Sequence, residues 1–303
     1  MERIIGKYGP PESDTLIICI GGMHGNEPAG VKALEKVFNF LFETRPPAQG
    51  RFIGIRGNIS AINKGKRLLH EDLNRIWSDT HIQLARENFK GHSPEIEELT
   101  EIFKVLDEIP FQNYKQKIFI DLHTTSGDNG TFVVAVDYQN AKHLMDSFKV
   151  PIILGLDGEL ESPAIRYFAR QGFISFAFEG GLHQSPQSVN NLTWGIWQSL
   201  SQSGLISSSF LPDLSEVSQH LHQRFSRLPS ILHLDYLHKI HVNDNFKMKL
   251  GFKNFDKIQY GQTLAEDKNG PIYAQSNGYL LMPLYQSQGN DGFFLVRSLE
   301  NVN

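Results

Sequence analysis

A chain of 303 residues, 40% hydrophobic and 20% charged, is long enough to bury one large core and a smaller one. Its formal net charge of −4, with Lys and Arg scattered along the chain, excludes the basic footprint of a nucleic-acid binder. The single cysteine, Cys19, excludes an internal disulfide, and no run approaches the roughly 18 apolar residues of a membrane span.

The opening segment, MERIIGKYGPPESD, is polar and lacks the apolar core of a secretion signal, so the cytoplasm is the expected compartment. Residues 15–20 (TLIICI) read as a buried strand with Cys19 as a core thiol. GGMHGNE follows, then an amphipathic helix from Pro28 to about Phe42; proline suits a first helical turn, where its missing N–H is no loss. Residues 51–56 (RFIGIR) form a second strand. The stretch 57–77, GNISAINKGKRLLHEDLNRIW, has no clean period and reads as a loop rich in glycine, asparagine and cations. Residues 93–106 open on a capping serine and carry apolar residues at helical spacing. Further strands are expected at 117–122 (KIFIDL), 131–136, 150–154 and 174–178 (ISFAF). Continuous apolar strands separated by helices predict an α/β fold with a mixed, mostly parallel sheet and helices on both faces. A helix at 192–200, the serine-rich link SQSGLISSS and a polar helical stretch at 214–225 come next. From Ile231 short alternating segments punctuated by Gly, Asn and Asp predict a small all-β C-terminal domain. The expected division is 1–205, a 206–230 linker, and 231–303.

In a parallel α/β sheet, ligands gather at the carboxyl ends of the strands. Three strands here run into unusual polar residues: His24 and Glu27 after the first, Asp121-Leu122-His123 at the end of 117–122, and Glu179-Gly180-Gly181 after 174–178. Two imidazoles and a carboxylate suffice for a catalytic zinc with one position left for water. Gly25 gives the loop freedom to turn His24 and Glu27 to one point. Each piece also has a plainer reading: His24 satisfied by loop backbone, Asp121 and His123 in a local hydrogen bond, Glu179 paired with a lysine. Partial desolvation at the border of core and cleft would raise Glu179 toward the range of a general base. In the 57–77 loop, Arg67 and Arg75 offer forked donors and Asn74 a neutral one, suited to a small anion, unless the loop is simply a solvated basic surface. His81, His92, His220, His222 and His233 read as surface residues.

GGMHGNEPAG, the 57–77 loop, DLHTT and FEGG resemble, in order and spacing, the succinylglutamate desuccinylase and aspartoacylase family of the zinc carboxypeptidase superfamily. The resemblance spans about residues 15–200 and reaches the β-rich tail only loosely. It implies a zinc-dependent hydrolase cleaving the amide of an N-acyl amino acid. His24, Glu27 and His123 match ligands of one Zn2+ per chain, and Glu179 matches the general base. Arg67 matches the arginine that steadies the oxyanion. Asn74 and Arg75 match the clamp on the substrate carboxylate, and Asp121 is similar to a residue orienting a ligand histidine. A tyrosine that aspartoacylases carry near the cleft has Phe293 and Phe294 in the comparable stretch, and Arg166 or Arg170 are candidates for a second carboxylate. The partner implied is a small anionic N-acyl amino acid, with no nucleic acid and no membrane; a homo-oligomer is left open. A metallocarboxypeptidase and a non-catalytic small-molecule-binding relative are the alternatives.

Overall fold

The chain enters on an edge strand, β1 (Ile4–Tyr8), and continues into β2 (Thr15–Gly21), where residues 16–20 are wholly inaccessible to solvent. The computed structural model describes residues 1–87, 93–241 and 243–299. Helix α1 (Ala29–Thr44) follows, burying Ala33, Leu34, Val37, Phe38 and Leu41 at three-to-four spacing, and ends at Arg45 in the left-handed conformation. β3 (Gly50–Arg56), α2 (Ile59–Lys64), α3 (Asp79–Glu87) and α4 (Pro94–Leu106) lead to β4 (Gln116–Thr125). Next come β5 (Thr131–Ala135), α5 (Tyr138–Met145), β6 (Ile152–Leu154), α6 (Leu156–Glu159), α7 (Ala164–Arg170) and β7 (Ile174–Leu182). The last helices are α8 (Pro186–Gln202) and α9 (Ser215–Phe225). The C-terminal region contributes β8 (Ile231–Lys239), β9 (Lys247–Met248), β10 (Lys257–Ile258), β11 (Thr263–Asp267), β12 (Gly270–Tyr273), β13 (Gly278–Leu281) and β14 (Asp291–Arg297).

The main sheet runs β1-β3-β2-β4-β7-β5-β6-β8-β14-β13-β10. β3, β2, β4 and β7 are mutually parallel, β5 turns antiparallel to β7, and β1 closes the far edge antiparallel to β3. The apolar runs of β2 and β4 follow from this position, since strands buried on both faces have no polar side to alternate with. Each fully buried Leu, Ile or Phe there contributes roughly 1.5–3 kcal/mol.

The fold class is the expected one, with differences in detail. β1 hides in the polar N-terminus because an edge strand needs only partial burial. The 57–77 stretch is not all loop. Asn58 caps α2 by accepting from the Ala61 amide at 2.9 Å, Gly65 ends it in the left-handed region, and Leu73–Arg75 form a 3-10 turn. α8 begins at Pro186, ahead of the expected 192, because Ser185 caps it. The β-rich C-terminal region is present; β8 pairs parallel with β6, so its strands extend the main sheet. It also packs a core of its own around Met248, Ile258, Leu264, Phe293 and Leu295. His220 and His222 are exposed, His81 and His233 half-buried, and His92 lies outside the described residues. No helix among the described residues is long and apolar enough to cross a membrane.

Candidate active site

The HGNE turn is tight: the Glu27 amide donates to the His24 carbonyl at 3.1 Å, bringing both side chains to one side. Gly25 is needed for space more than for flexibility. A Cβ there would stand 2.1 Å from the Ala61 carbonyl carbon, and its amide donates to the Arg67 carbonyl at 3.1 Å. The turn is thus pressed against α2. β4 and β7 run further than their apolar cores suggest, so His123 and Glu179 lie within strands, as direct register partners on adjacent parallel strands. One ligand atom each from His24, Glu27 and His123 lies within 4.8 Å of the others, and all three residues are buried.

The protons of this cluster fit a metal. His24 Nε2 meets Asp72 at 3.1 Å and His123 Nε2 meets Asp121 at 2.8 Å, contacts that assign the imidazole proton to Nε2 in both rings. Both Nδ1 atoms then turn lone pairs toward Glu27, at 2.7 and 3.2 Å. With no ion bound, a proton shared with Glu27 can occupy these short contacts; in the Nε2–H tautomer the two Nδ1 atoms and the carboxylate are free to hold a cation in its place. The charges say the same. Burial works to lower the pKa of His123, yet Asp121 and Glu27 hold it well above the usual imidazole range. Burial works to raise Glu27, yet His24 and His123 hold it well below the usual carboxylate range. The pocket therefore favours positive charge at its centre.

Glu179 has the opposite environment. It is 8% exposed, and its Oε2 has no hydrogen-bond partner. Burial pushes its carboxyl up to about 8; Glu27 and Asp121 add to the shift, while His123 and Arg67 oppose it. Past it, Gly181 has φ of +124°, a conformation that favours glycine, and the strand can then turn into α8.

The anion-type loop is pinned from beneath by Glu95 of α4, which is fully buried. Its Oε1 accepts from the Leu69 amide at 2.7 Å and Asn58 Nδ2 at 3.2 Å, and its Oε2 from the His70 amide at 3.2 Å. That anchoring presents Arg67, whose guanidinium donates to Glu27 at 3.3 Å and Asp72 at 3.2 Å. Asp72 is held well below the usual carboxylate range: burial opposes this, and His24, Arg67 and Arg75 outweigh it. Asn74 lies against the back of the cluster. Its Oδ1 accepts from the Ala164 amide at 3.0 Å and its Nδ2 donates to Asp121 at 3.1 Å. The same amide nitrogen lies 3.1 Å from His123 Nε2, so Asn74 is packed against a proposed ligand ring. Arg75 donates to the Asn74 carbonyl at 3.1 Å and to Asp291 of β14 at 2.9 Å.

The segment between β13 and β14 runs beside these groups. Ser126 donates to the Pro283 carbonyl at 3.2 Å. Gln286 Oε1 accepts from Asn26 at 2.8 Å and faces His183 Nε2 at 3.3 Å. The structure thus brings together His24, Glu27, Arg67, Asn74, His123 and Glu179, with Arg75 next to them. Phe293 and Phe294 are core residues, 0% and 2% exposed, and the Phe293 ring stacks on His238. Arg166 and Arg170 turn to Asp157 and Asp79, at 3.8 and 3.3 Å. Asp72, Glu95 and Asp291 escape a reading of the sequence. Asp72 alone carried a signal, an acid between two arginines in KRLLHEDLNR.

Sheet topology and cluster together define an α/β protein with a buried His–Glu–His group at the carboxyl ends of its parallel strands. The profile of the succinylglutamate desuccinylase/aspartoacylase catalytic domain matches residues 13–182, more than half of the sequence, and the chain belongs to that family. It is 23% identical over 288 residues to the succinylglutamate desuccinylase of Idiomarina loihiensis, covering 92% of this chain and 80% of that one. It is 25% identical over 289 residues to a probable aspartoacylase of Prochlorococcus marinus, covering 89% and 87%. In fold it is similar to the Vibrio cholerae succinylglutamate desuccinylase, with a TM-score of 0.67 at 16% identity over 94% of this chain and 81% of that one. Murine aminoacylase 3 gives a TM-score of 0.61 at 15% identity, covering 94% and 95%.

Proposed function

We propose that this chain is a zinc-dependent amidohydrolase that splits an N-acyl amino acid into a carboxylate and an amine. One observation carries the reading: a desolvated carboxylate with a partnerless oxygen, Glu179, beside a buried His–Glu–His cluster that favours a cation. Family membership supports the reaction class, and the donor set of two imidazole nitrogens and one carboxylate supports zinc. His24, Glu27 and His123 are the proposed ligands. When bound, the ion polarises an acyl carbonyl and makes water more acidic.

The remaining chemistry belongs to the chain. Glu179 takes a proton from the attacking water and passes it to the departing nitrogen, a role its raised pKa suits. Arg67, held by Glu27 and Asp72, steadies the oxyanion, whose charge exists only near the transition state. Arg75, with Asn74 beside it, holds the substrate carboxylate, so binding energy remote from the amide fixes its geometry. Asp72 and Asp121 orient the two histidines. The 282–290 segment covers the site and limits it to small substrates.

Zinc content and hydrolysis of N-acetyl and N-succinyl amino acids by purified protein test the proposal. About one zinc per chain is expected, with hydrolysis lost on chelation and restored by zinc. Folded protein that takes up no zinc, or cleavage of hippuryl peptides without any of the free N-acyl amino acids, would overturn it.

A further inference from the structure

The amidohydrolase reading leaves the nature of the amino acid open, and the surroundings of Arg75 bear on it. Arg75 is the cation proposed to meet the substrate carboxylate, yet one arm of its fork is already on Asp291, at 2.9 Å, and another on the Asn74 carbonyl, at 3.1 Å. Guanidinium has five N–H donors, so a single incoming carboxylate still finds donors here. A second one near Arg75 meets the carboxylate of Asp291 beside those donors. Among the described residues, the side-chain cations paired with Glu27, Asp72 and Asp291 are Arg67 and Arg75, beside the two histidines. Arg67 is committed to Glu27 and Asp72. The arginines of α7 are turned outward, Arg166 toward Asp157 and Arg170 toward Asp79, with side chains about half exposed. Asp291 itself is partly accessible, at 22%, and brings a carboxylate from the C-terminal region to the rim of the site.

We propose that Asp291 is a specificity-determining residue that excludes a second negative charge from the amino-acid part of the substrate. The inference rests on the amidohydrolase reading and narrows it to N-acyl amino acids whose side chain carries no carboxylate. The physical cause is twofold. A side-chain carboxylate arriving near Arg75 meets the like charge of Asp291 in a poorly solvated place, and the guanidinium is already partly neutralised. A neutral side chain of the same shape meets neither penalty.

Isosteric pairs isolate that charge. N-acetyl-glutamine is compared with N-acetyl-glutamate, and N-acetyl-asparagine with N-acetyl-aspartate, on the zinc-loaded protein and on Asp291→Asn and Asp291→Glu. The amide member of each pair is expected to be favoured at least about tenfold in kcat/KM, mainly through KM. Asp291→Asn should shrink the gap to within about threefold by improving the acidic member, and Asp291→Glu should keep it. A wild-type preference for the acidic member, or a gap that Asp291→Asn leaves unchanged, overturns the assignment. Hydrolysis of none of the four would count against the amidohydrolase reading instead. Calorimetric binding of glutamine and glutamate to the same three proteins then decides the charge rule. Tighter glutamine binding that Asp291→Asn abolishes supports it; tighter glutamate binding, or no binding of either, overturns it.

Discussion

Glu179, the proposed general base, shows how one side chain can be costly to the fold and suited to a reaction. It sits in the middle of β7, with His123 beside it on β4 and Phe132 on the other side on β5, and it has no hydrogen-bond partner at Oε2. Glu179→Gln is expected to keep the metal and lose at least about a hundredfold in turnover, the usual scale for a general base; near-normal turnover with metal retained would remove the role. The same variant should be more stable than the wild type when metal-free. The folded carboxyl has a pKa of about 8 against an ordinary 4.5, so the unfolded chain releases this proton first as pH rises. The stability the neutral acid permits is fully present below about 4.5 and is lost as pH rises toward 8. Glutamine cannot ionise, so the melting-temperature advantage of the metal-free variant should widen across that window. An advantage that stays constant with pH would show that Glu179 is already ionised in the folded chain.

At the scale of elements, the loop that carries Arg67, Asn74 and Arg75 depends on a helix with no part in the proposed chemistry. Glu95, at the start of α4, gathers the Leu69 and His70 amides and the Asn58 side chain around a fully buried carboxylate. Glu95→Gln preserves shape but turns a donor toward those N–H groups. A loss of about 1–3 kcal/mol is expected, with turnover falling at least about tenfold because Arg67 and Asp72 hang from that loop. Denaturant unfolding and kinetics of the zinc-loaded variant check both; full activity with reduced stability would detach the loop from catalysis. Glu95 was illegible in the sequence because an acid in the first turn of a helix ordinarily faces the helix dipole and solvent. β2, β4 and β7 were legible because burial on both faces leaves an unbroken apolar run. Their true ends were not, since His123 and Glu179 stay paired in the sheet although they are polar. The short helices α5, α6 and α7 carry too few turns for a clear period, and β1 draws its stability from β3 rather than from its own residues.

At the scale of the molecule, the site is shared between the nucleus of the sheet and a region far along the chain. Which C-terminal residues approach it follows from the β8–β6 pairing and the path of 282–290, neither of which local sequence specifies. Asp291 reaches Arg75, and Gln286 reaches Asn26, but the firmest join is Asn254, which is fully buried. Its Oδ1 accepts from the Met282 amide at 2.6 Å, and its Nδ2 donates to the Gly127 carbonyl at 3.0 Å and the Asp128 carbonyl at 2.8 Å. One side chain thus joins the turn that follows β4 to the start of the 282–290 segment. Asn254→Ala leaves the Met282 amide without its acceptor, at a cost of about 1–3 kcal/mol if water cannot reach it, while the Gly127 carbonyl keeps Thr125 Oγ1 and the Asp128 carbonyl keeps the amide of residue 254. Hydrogen exchange should then quicken at the Met282 amide and along 282–290 while β2 and β4 keep their protection. If 282–290 covers the site as proposed, KM for the N-acyl amino acid should rise more than kcat falls, because Glu179 does not move. Unchanged exchange at Met282, or a loss confined to kcat, would show that the C-terminal region is fixed by its strand pairing alone and that Asn254 does not govern the cover.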